Sequence, residues 1–163
     1  MSDTDSAHRD YLALRDQVNS AQLATLTRDA NPEASYAPCV WFEGDCFVFL
    51  SELASHTQNL KFDPSISLLL IEAETAAGNA FARKRISLFG RAQIVARADD
   101  IYKTVINDFY HRFGEVMKLI EPLPDFHLFR IRVQRGRFIR GFGQAYELAG
   151  DRLEQLIRID PGK

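Results

Sequence analysis

Short stretches in which apolar and polar residues alternate, joined by tight turns, constrain the fold of this chain more than any other feature. The segment EASYAPCVWFEGDCFVFLSEL, residues 33–53, predicts two strands joined by a turn at EGD. The segment ARKRISLFGRAQIVA, residues 82–96, alternates residue by residue and predicts a long strand. Consecutive hairpins pair their strands in the antiparallel direction, whereas a parallel Rossmann sheet needs helical crossovers. The pattern therefore favours a mainly antiparallel α+β fold, closed into a small barrel with peripheral helices.

Two helices and several further strands complete the predicted fold. Apolar residues at helical spacing predict a helix over 7–20 with Ser6 as its N-cap. A second helix is predicted over 98–120, beginning at Asp99 or Asp100 and bent or ended near Gly114. Further strands are predicted at 21–27 and 65–72, in a hairpin over 125–143 that turns at QRG, and in the tail, where a short helix is also expected.

Composition narrows the classes of partner and compartment. The chain has 163 residues, of which 46% are hydrophobic, so one domain with a sizeable core is expected. A formal net charge of −2 gives no general attraction to nucleic acid or to anionic membranes. No apolar run approaches the roughly 20 residues that cross a bilayer, and the polar N-terminus does not resemble a signal peptide. Cys39 and Cys46 lie in apolar strands without metal-ligand spacing, so we expect free thiols and a cytoplasmic protein.

A polar segment, ASHTQNLKFDP at 54–64, separates two apolar strands. Ser55 and Gln58 have the spacing of a capping box, which would make this segment only a helix start. That interpretation does not account for His56, whose side chain would project from the first helical turn. A helix N-terminus disfavours a protonated imidazole, so a neutral His56 able to contact a ligand is the functional alternative.

Three other motifs carry both a structural and a functional interpretation. RKR at 83–85 would place two guanidinium groups on one strand face as a clamp for phosphate or carboxylate, or would only protect a sheet edge. GFGQAY at 141–146 is a weak phosphate-loop candidate, and a strand bulge is the structural alternative. Asp125 and His127 would share a strand face, either as a functional pair or as structural residues. The chain contains no GxSxG, HExxH or P-loop motif.

Six motifs in order resemble the haem-utilisation proteins of the HutZ/HugZ type, within the pyridoxamine 5'-phosphate oxidase-like, FMN-binding split-barrel superfamily. They are ASYAPCVW, SHTQNLKFDPSISLLLIE, FARKRISLFGRA, RFGE, DFHLFRI and RFIRGFGQAY, and the resemblance spans roughly residues 20–160. It implies a single split-barrel domain over 20–163, which the helix predicted from apolar spacing precedes as an N-terminal segment over 1–19. It also implies a homodimer with ligand sites at the subunit interface.

The resemblance also implies a set of site residues. Flavin-binding members carry Arg-Lys for the FMN phosphate where this chain has His56 and Thr57. Asp125 is the candidate catalytic residue, because it matches an acidic residue that supports the proximal haem ligand in the family. The family's axial histidine falls at Lys163, a poor iron ligand while protonated. The residues expected near the cofactor are His56, Arg85, Arg83, Lys84, Ser51, Tyr36 and Gln144.

Three functions remain open at this point. The first is a haem-binding protein of the haem-utilisation type, with haem degradation by O₂ and a reductant as its activity. The second is an FMN-binding oxidoreductase related to pyridoxamine 5'-phosphate oxidase, and the third is a carrier that binds without turnover. Oxidation of pyridoxamine phosphate itself is the least favoured activity, because Trp41 is the sole tryptophan and the tail only partly matches that of the oxidases.

Overall fold

A computed structural model describes residues 3–159, and these residues form a closed antiparallel barrel with extra strands and peripheral helices. The strands are β1 Ser20–Leu26, β2 Pro32–Phe42, β3 Asp45–Ser51, β4 Ser65–Ile71, β5 Arg85–Val95, β6 Phe126–Gly141, β7 Gln144–Ala149 and β8 Gln155–Ile159. Their order in the sheet is β3-β2-β1-β4-β5-β6-β7-β8, and β3 also pairs with β6. That last pairing closes β1–β6 into a six-stranded barrel and leaves β7 and β8 as an extension. The predicted α+β split barrel is confirmed.

The helices lie outside the sheet, at its ends and on one side. They are α1 Asp3–Gln17, α2 Ser55–Phe62, α3 Asp100–Phe113 and α4 Val116–Ile120. The prediction for α3 is confirmed, since Asp99 is its N-cap and Gly114 its C-cap. Ser6 is not an N-cap, because α1 already begins at Asp3; its hydroxyl instead accepts a hydrogen bond from Arg140 at 2.7 Å. Within the described part of the chain, no helix combines the length and the apolar character that a membrane span requires.

Strand β6 corrects the predicted hairpin at QRG. The chain continues through this motif as one 16-residue strand, which pairs with β3 over its first half and with β7 over its second. Gly136 lies within a strand where side chains pack closely on the backbone, and not in a turn: a Cβ there would lie 2.5 Å from Leu88 Cδ2 and 2.7 Å from Leu148 Cδ1. The segment after β7 holds β8 and no helix up to Ile159, so the predicted short helix is wrong there.

The reversal of the chain falls in the GFGQAY motif instead. Gly141 pairs with Gln144, so Phe142 and Gly143 form a two-residue hairpin loop, with φ of +67° at Gly143. The register also shifts between Ile139 and Gly141, which confirms the bulge predicted for this motif.

Two apolar clusters stabilise the fold. The larger fills the barrel and extends beneath α1, which buries Ala7, Tyr11 and Leu14 against it. The smaller lies between α3 and the outer surface of β2, β3 and β6, with Phe47 and Phe109 at its centre. Cys39 and Cys46 are free, as predicted, and both are fully buried. The hydrogen bond with the Cys39 thiol, and then burial, raise the pKa of Cys46 well above its usual value.

Candidate functional site

The polar segment that precedes β4 fastens α2 to the barrel, and its hydrogen bonds differ from those of a capping box. The N-cap of α2 is Ala54, which cannot cap through its side chain. Ser55 Oγ donates to Glu33 Oε1 at 2.6 Å, and Gln58 Nε2 donates to the Glu52 carbonyl at 2.8 Å. The predicted capping box is therefore wrong. Ser55 instead bonds Glu33 near the start of β2, and Gln58 bonds Glu52 just after the end of β3.

The inner side of α2 is held by two buried polar residues. Thr57 is fully buried, and its hydroxyl donates to the Ser51 carbonyl at 2.6 Å. Asn59 Nδ2 donates to Thr25 Oγ1 at 3.0 Å and to Glu33 Oε2 at 2.7 Å. The bonds from Ser55 and Asn59 lower the pKa of the Glu33 carboxyl. Helix α2 is thus seated on the barrel end by bonds from several directions.

His56 projects from the first turn of this helix as predicted. Its Nδ1 lies 3.0 Å from Ser35 Oγ, and the residue is half-buried. Burial lowers the pKa of the imidazole, and the nearby Glu33 carboxylate opposes that shift. His56 is therefore neutral near pH 7, and its Nε2 makes no hydrogen bond within residues 3–159. A neutral, oriented imidazole of this kind can bond a ligand or coordinate iron.

Asp125 and His127 do not pair with one another. Ser51 Oγ donates to Asp125 Oδ2 at 2.8 Å, whereas His127 Nε2 lies 2.7 Å from Glu52 Oε1. Glu52 also forms a salt bridge with Lys61 of α2. The structure thus brings Ser51 and Asp125 together, as two predicted site residues, and gives His127 a different carboxylate.

The RKR motif does not form the predicted clamp. Strand β5 begins only at Arg85, so Arg83 and Lys84 lie in the preceding turn. Arg83 Nη2 donates to the Glu72 carbonyl at 2.5 Å, and Arg85 Nη1 donates to the Arg83 carbonyl at 3.0 Å. Lys84 Nζ lies 3.7 Å from Asp10 Oδ2. The two guanidinium groups therefore brace the turn, and the remaining N–H donors of Arg85 stay available.

The predicted site residues fall into two groups at opposite ends of the strands. In the β4–β5 pair, Ser65 lies opposite Arg91 and Ile71 lies opposite Arg85. Six residues of strand separate these levels, which corresponds to about 20 Å. Ser51 and Asp125 lie towards the Ser65 end, and Arg85 lies at the Ile71 end. His56 contacts Ser35, which the strand pairing places at the level of Leu68, between the two ends. One chain therefore does not bring them together.

Between the two ends, the outer face of the sheet is concave. Its cavity of about 760 Å³ has small residues at its centre, where Ala24, Ala34, Ser67 and Ser87 occur on neighbouring strands. Tyr36 stands on the same face of β2 and is 59% exposed. Sequence reasoning did not identify Phe89 and Arg135 on this face; the guanidinium of Arg135 lies 4.6 Å from the centre of the Phe89 ring. In the sequence, the signal for this concave face was the occurrence of small residues at outward-facing positions of the predicted strands.

Two further residues need to be placed. Gln144 is the first residue of β7 and lies at the Arg85 end of the sheet, next to the GFG hairpin. Lys163, which matches the axial histidine, lies outside the described residues. No group of three or more metal-ligating side chains occurs within residues 3–159.

Comparison with known proteins identifies the family. The family model described as pyridoxamine 5'-phosphate oxidase matches residues 6–140. This chain belongs to the pyridoxamine 5'-phosphate oxidase family. Among curated relatives, heme oxygenase HutZ of Vibrio cholerae is 38% identical over 148 residues, which cover 91% of this chain and 84% of HutZ. The resemblance of the sequence to HutZ-type members of the family is thus confirmed.

Solved structures of the family agree with this placement. The crystal structure of HutZ, described as a heme storage protein of Vibrio cholerae, has a TM-score of 0.76 and 34% identity, over 82% of this chain and 93% of that one. Campylobacter jejuni ChuZ has a TM-score of 0.89 at 27% identity, over 100% of this chain and 68% of that one. A heme binding protein of Mycobacterium smegmatis has a TM-score of 0.80 at 25% identity, over 94% and 61% of the two chains.

Proposed function

We propose that this protein binds haem and belongs functionally to the haem-utilisation branch of its family. The observation that carries the proposal is the chemistry of the first turn of α2. Flavin-binding members are expected to carry an Arg-Lys pair at positions 56 and 57. This chain instead has a half-buried His56 with a lowered pKa and a Thr57 whose hydroxyl already donates to a carbonyl. A phosphate would lose two charge-assisted partners there, each worth about 1.5–3 kcal/mol. The names of HutZ and of the mycobacterial relative support the same ligand.

The donor set fits the two chemical parts of haem. Arg85 offers a guanidinium for a propionate, with Lys84 beside it. His56 offers a neutral nitrogen. Asp125 offers a carboxylate, one oxygen of which already accepts a hydrogen bond from Ser51. Bound haem would supply the oxygen chemistry, while these side chains bind, orient and hydrogen-bond.

We further propose that two copies complete the site. The Ser65 level of β4, towards which Ser51 and Asp125 lie, is about 20 Å along the strand from the Arg85 level, and the concave face lies between these two levels. If a second copy covers that face with its strands reversed, the His56 end of one subunit meets the Arg85 end of the other. A homodimer with two equivalent interface sites follows from that symmetry.

Titration with hemin tests the ligand. We expect a sharp Soret band that saturates near one haem per chain, and a changed spectrum for His56→Ala. His111→Ala is the matched control, since His111 is exposed on α3. Failure of the purified protein to perturb the hemin spectrum would remove the proposal, and saturable quenching of FMN fluorescence instead would favour the FMN-binding oxidoreductase.

The same sample separates an enzyme from a carrier. HutZ is described both as a heme oxygenase and as a heme storage protein, so its names support either role. With ascorbate and oxygen, degradation predicts loss of the Soret band and release of iron, whereas a carrier keeps the band. We also propose a cytoplasmic location, which the free, buried thiols of Cys39 and Cys46 support.

A further inference from the structure

A bulge in strand β6 brings three arginine side chains to one face of the sheet. Arg91 of β5 lies directly opposite Arg132 of β6. Phe89, on the same face of β5, lies opposite Arg135. Arg132 and Arg135 are three residues apart, so a regular strand would turn them to opposite faces. The register shift between these two levels adds one residue to β6, and the bulge therefore turns both arginines to the face of Arg91.

This face is the outer one, away from the barrel core. The neighbours Ala92 and Ile131 point inward and are buried, whereas the three arginines are exposed. Arg135 lines the concave cavity, but Arg91 and Arg132 do not. The three side chains therefore lie together at the margin of the cavity, where a small molecule can reach them.

Within residues 3–159, no carboxylate forms a salt bridge with any of these three side chains. Arg91 Nη1 donates to Ser65 Oγ at 3.5 Å, the outer limit of a hydrogen bond. Hydrogen bonds with Ser65, and then the charge of Arg91, lower the pKa of Asp63, yet the two charged groups do not come within salt-bridge distance. The side chain of Arg132 makes neither a hydrogen bond nor an ion pair in the described part of the chain.

The Arg91–Arg132 pair is unfavourable without a counterion. Residues directly opposite in an antiparallel pair have Cβ atoms about 4.5–5.5 Å apart, and like charges at these positions destabilise the sheet. The whole chain has a formal net charge of −2, so the excess of cations is local to this face. An anion held between the guanidinium groups would remove the repulsion.

The geometry of the donors defines the class of anion. Arg135 stacks on Phe89 with 4.6 Å between the guanidinium carbon and the ring centre, which leaves its N–H edge free. Ser65 and Ser67 lie opposite Arg91 and Phe89 on β4 and add hydroxyl groups beside the arginines. A carboxylate has two acceptor oxygens, whereas a phosphoryl group has three or more and carries up to two charges. Three guanidinium groups with nearby hydroxyls match the phosphoryl group better.

We propose that Arg91, Arg132 and Arg135 form a binding site for the phosphoryl group of a small molecule, either free phosphate or a phosphate monoester. The site is independent of the proposed haem function, because neither iron nor a porphyrin is needed to occupy it. The bulge in β6 assembles the site, since without it Arg135 would not share a face with the other two arginines.

Thermal unfolding of the full chain at one fixed protein concentration tests the site. Sodium phosphate and glycerol 3-phosphate should raise Tm in a saturable way, whereas sodium chloride at the same ionic strength should not. Arg91→Gln and Arg132→Gln should each weaken phosphate about tenfold, because each removes charge-assisted hydrogen bonds. Both variants should also melt slightly above wild type without phosphate, since the repulsion is gone. Arg9→Gln is the matched control, because Arg9 is exposed on α1.

The outcomes separate this site from other uses of the same surface. An equal phosphate effect on wild type, Arg132→Gln and Arg9→Gln would overturn the inference, as would no effect on wild type. Light scattering that shows Arg132→Gln to be monomeric when wild type is dimeric would also overturn it, because the arginines would then be subunit contacts. Duplex DNA that binds more tightly than phosphate and depends on Arg132 would assign the surface to nucleic acid instead. Loss of phosphate binding with an unchanged hemin titration removes only this inference.

Discussion

Replacement of Asn59 by leucine tests how α2, and with it His56, is held on the barrel. Asn59 is only 8% exposed, and its amide nitrogen donates to Thr25 Oγ1 at 3.0 Å, inside the barrel end where Thr25 is 1% exposed. Leucine has nearly the same size but cannot donate. Asn59→Leu therefore leaves the Thr25 hydroxyl buried without this partner, in a place that water reaches poorly.

The expected loss of stability follows from that buried hydroxyl. An unsatisfied buried polar group costs about 1–3 kcal/mol, so Asn59→Leu should lower the free energy of unfolding by about 2 kcal/mol. For a chain of this size this corresponds to a fall in Tm of about 4–8 °C. Thr25→Val alone should cost about 1 kcal/mol, because Asn59 keeps its second bond to Glu33. The double variant replaces both partners by apolar groups, and it should be more stable than the sum of the two single losses predicts, by about 1 kcal/mol.

Urea denaturation, followed by the fluorescence of Trp41 at one fixed protein concentration, measures all four proteins. The reasoning is refuted if the two losses simply add, or if Asn59→Leu is as stable as wild type. Hemin titration of the same variants connects the result to the site. Asn59→Leu should bind hemin more weakly, since it loosens the seat of the helix that carries His56.

Three further predictions address packing and titration. Gly90→Ala should destabilise by about 3 kcal/mol or prevent folding, because its Cβ would lie 2.5 Å from the Arg132 carbonyl oxygen; Gly78→Ala, with open space around it, should be neutral in the same melting experiment. Burial raises the pKa of Tyr102 to about 12, so its contribution to stability is complete below pH 10 and is lost as the pH rises towards 12; in an ultraviolet titration of tyrosinate, Tyr102→Phe should remove a group that ionises near pH 12. The lowered pKa of Glu33 gives stability that is present above about pH 4.5 and lost as the pH falls below that value, so acid melting curves of Glu33→Gln should depend less on pH than those of wild type.

The strands were predictable from sequence because alternation reports directly which side chains face the barrel interior. In β5, Ile86, Leu88 and Ala92 are buried on one face, as the alternation requires, and the same logic located β1–β4. The turn predicted at QRG was wrong. A glycine between polar residues is typical of a turn, but Gly136 lies within β6, where the side chains of Leu88 and Leu148 approach the backbone closely. Leu88 lies 48 residues before Gly136 and Leu148 lies 12 residues after it, so the local sequence around Gly136 does not contain the residues that explain the glycine.

The site was predictable in its residue types but not in its bonds. Ser55 and Gln58 have the spacing of a capping box, yet Ser55 bonds Glu33, which lies 22 residues earlier in the chain, on a different element. RKR was expected to begin within a strand, but β5 starts at Arg85, and the turn before it uses Arg83 for its own carbonyl bond. In both cases a tertiary partner replaced the local interaction that the sequence favoured.

The separation of the two residue groups explains why one chain alone does not form the proposed site. Residues that act on one ligand must lie within a few ångströms of it, yet Ser51 and Asp125 lie towards the Ser65 end of the β4–β5 pair and Arg85 lies at its Ile71 end, about 20 Å away along the strands. A symmetric partner resolves this without moving either group, because reversal of the strand direction exchanges the two ends of the sheet. Binding of porphyrin and association of subunits should therefore be thermodynamically linked, with dilution weakening hemin affinity and hemin opposing dissociation to the same degree.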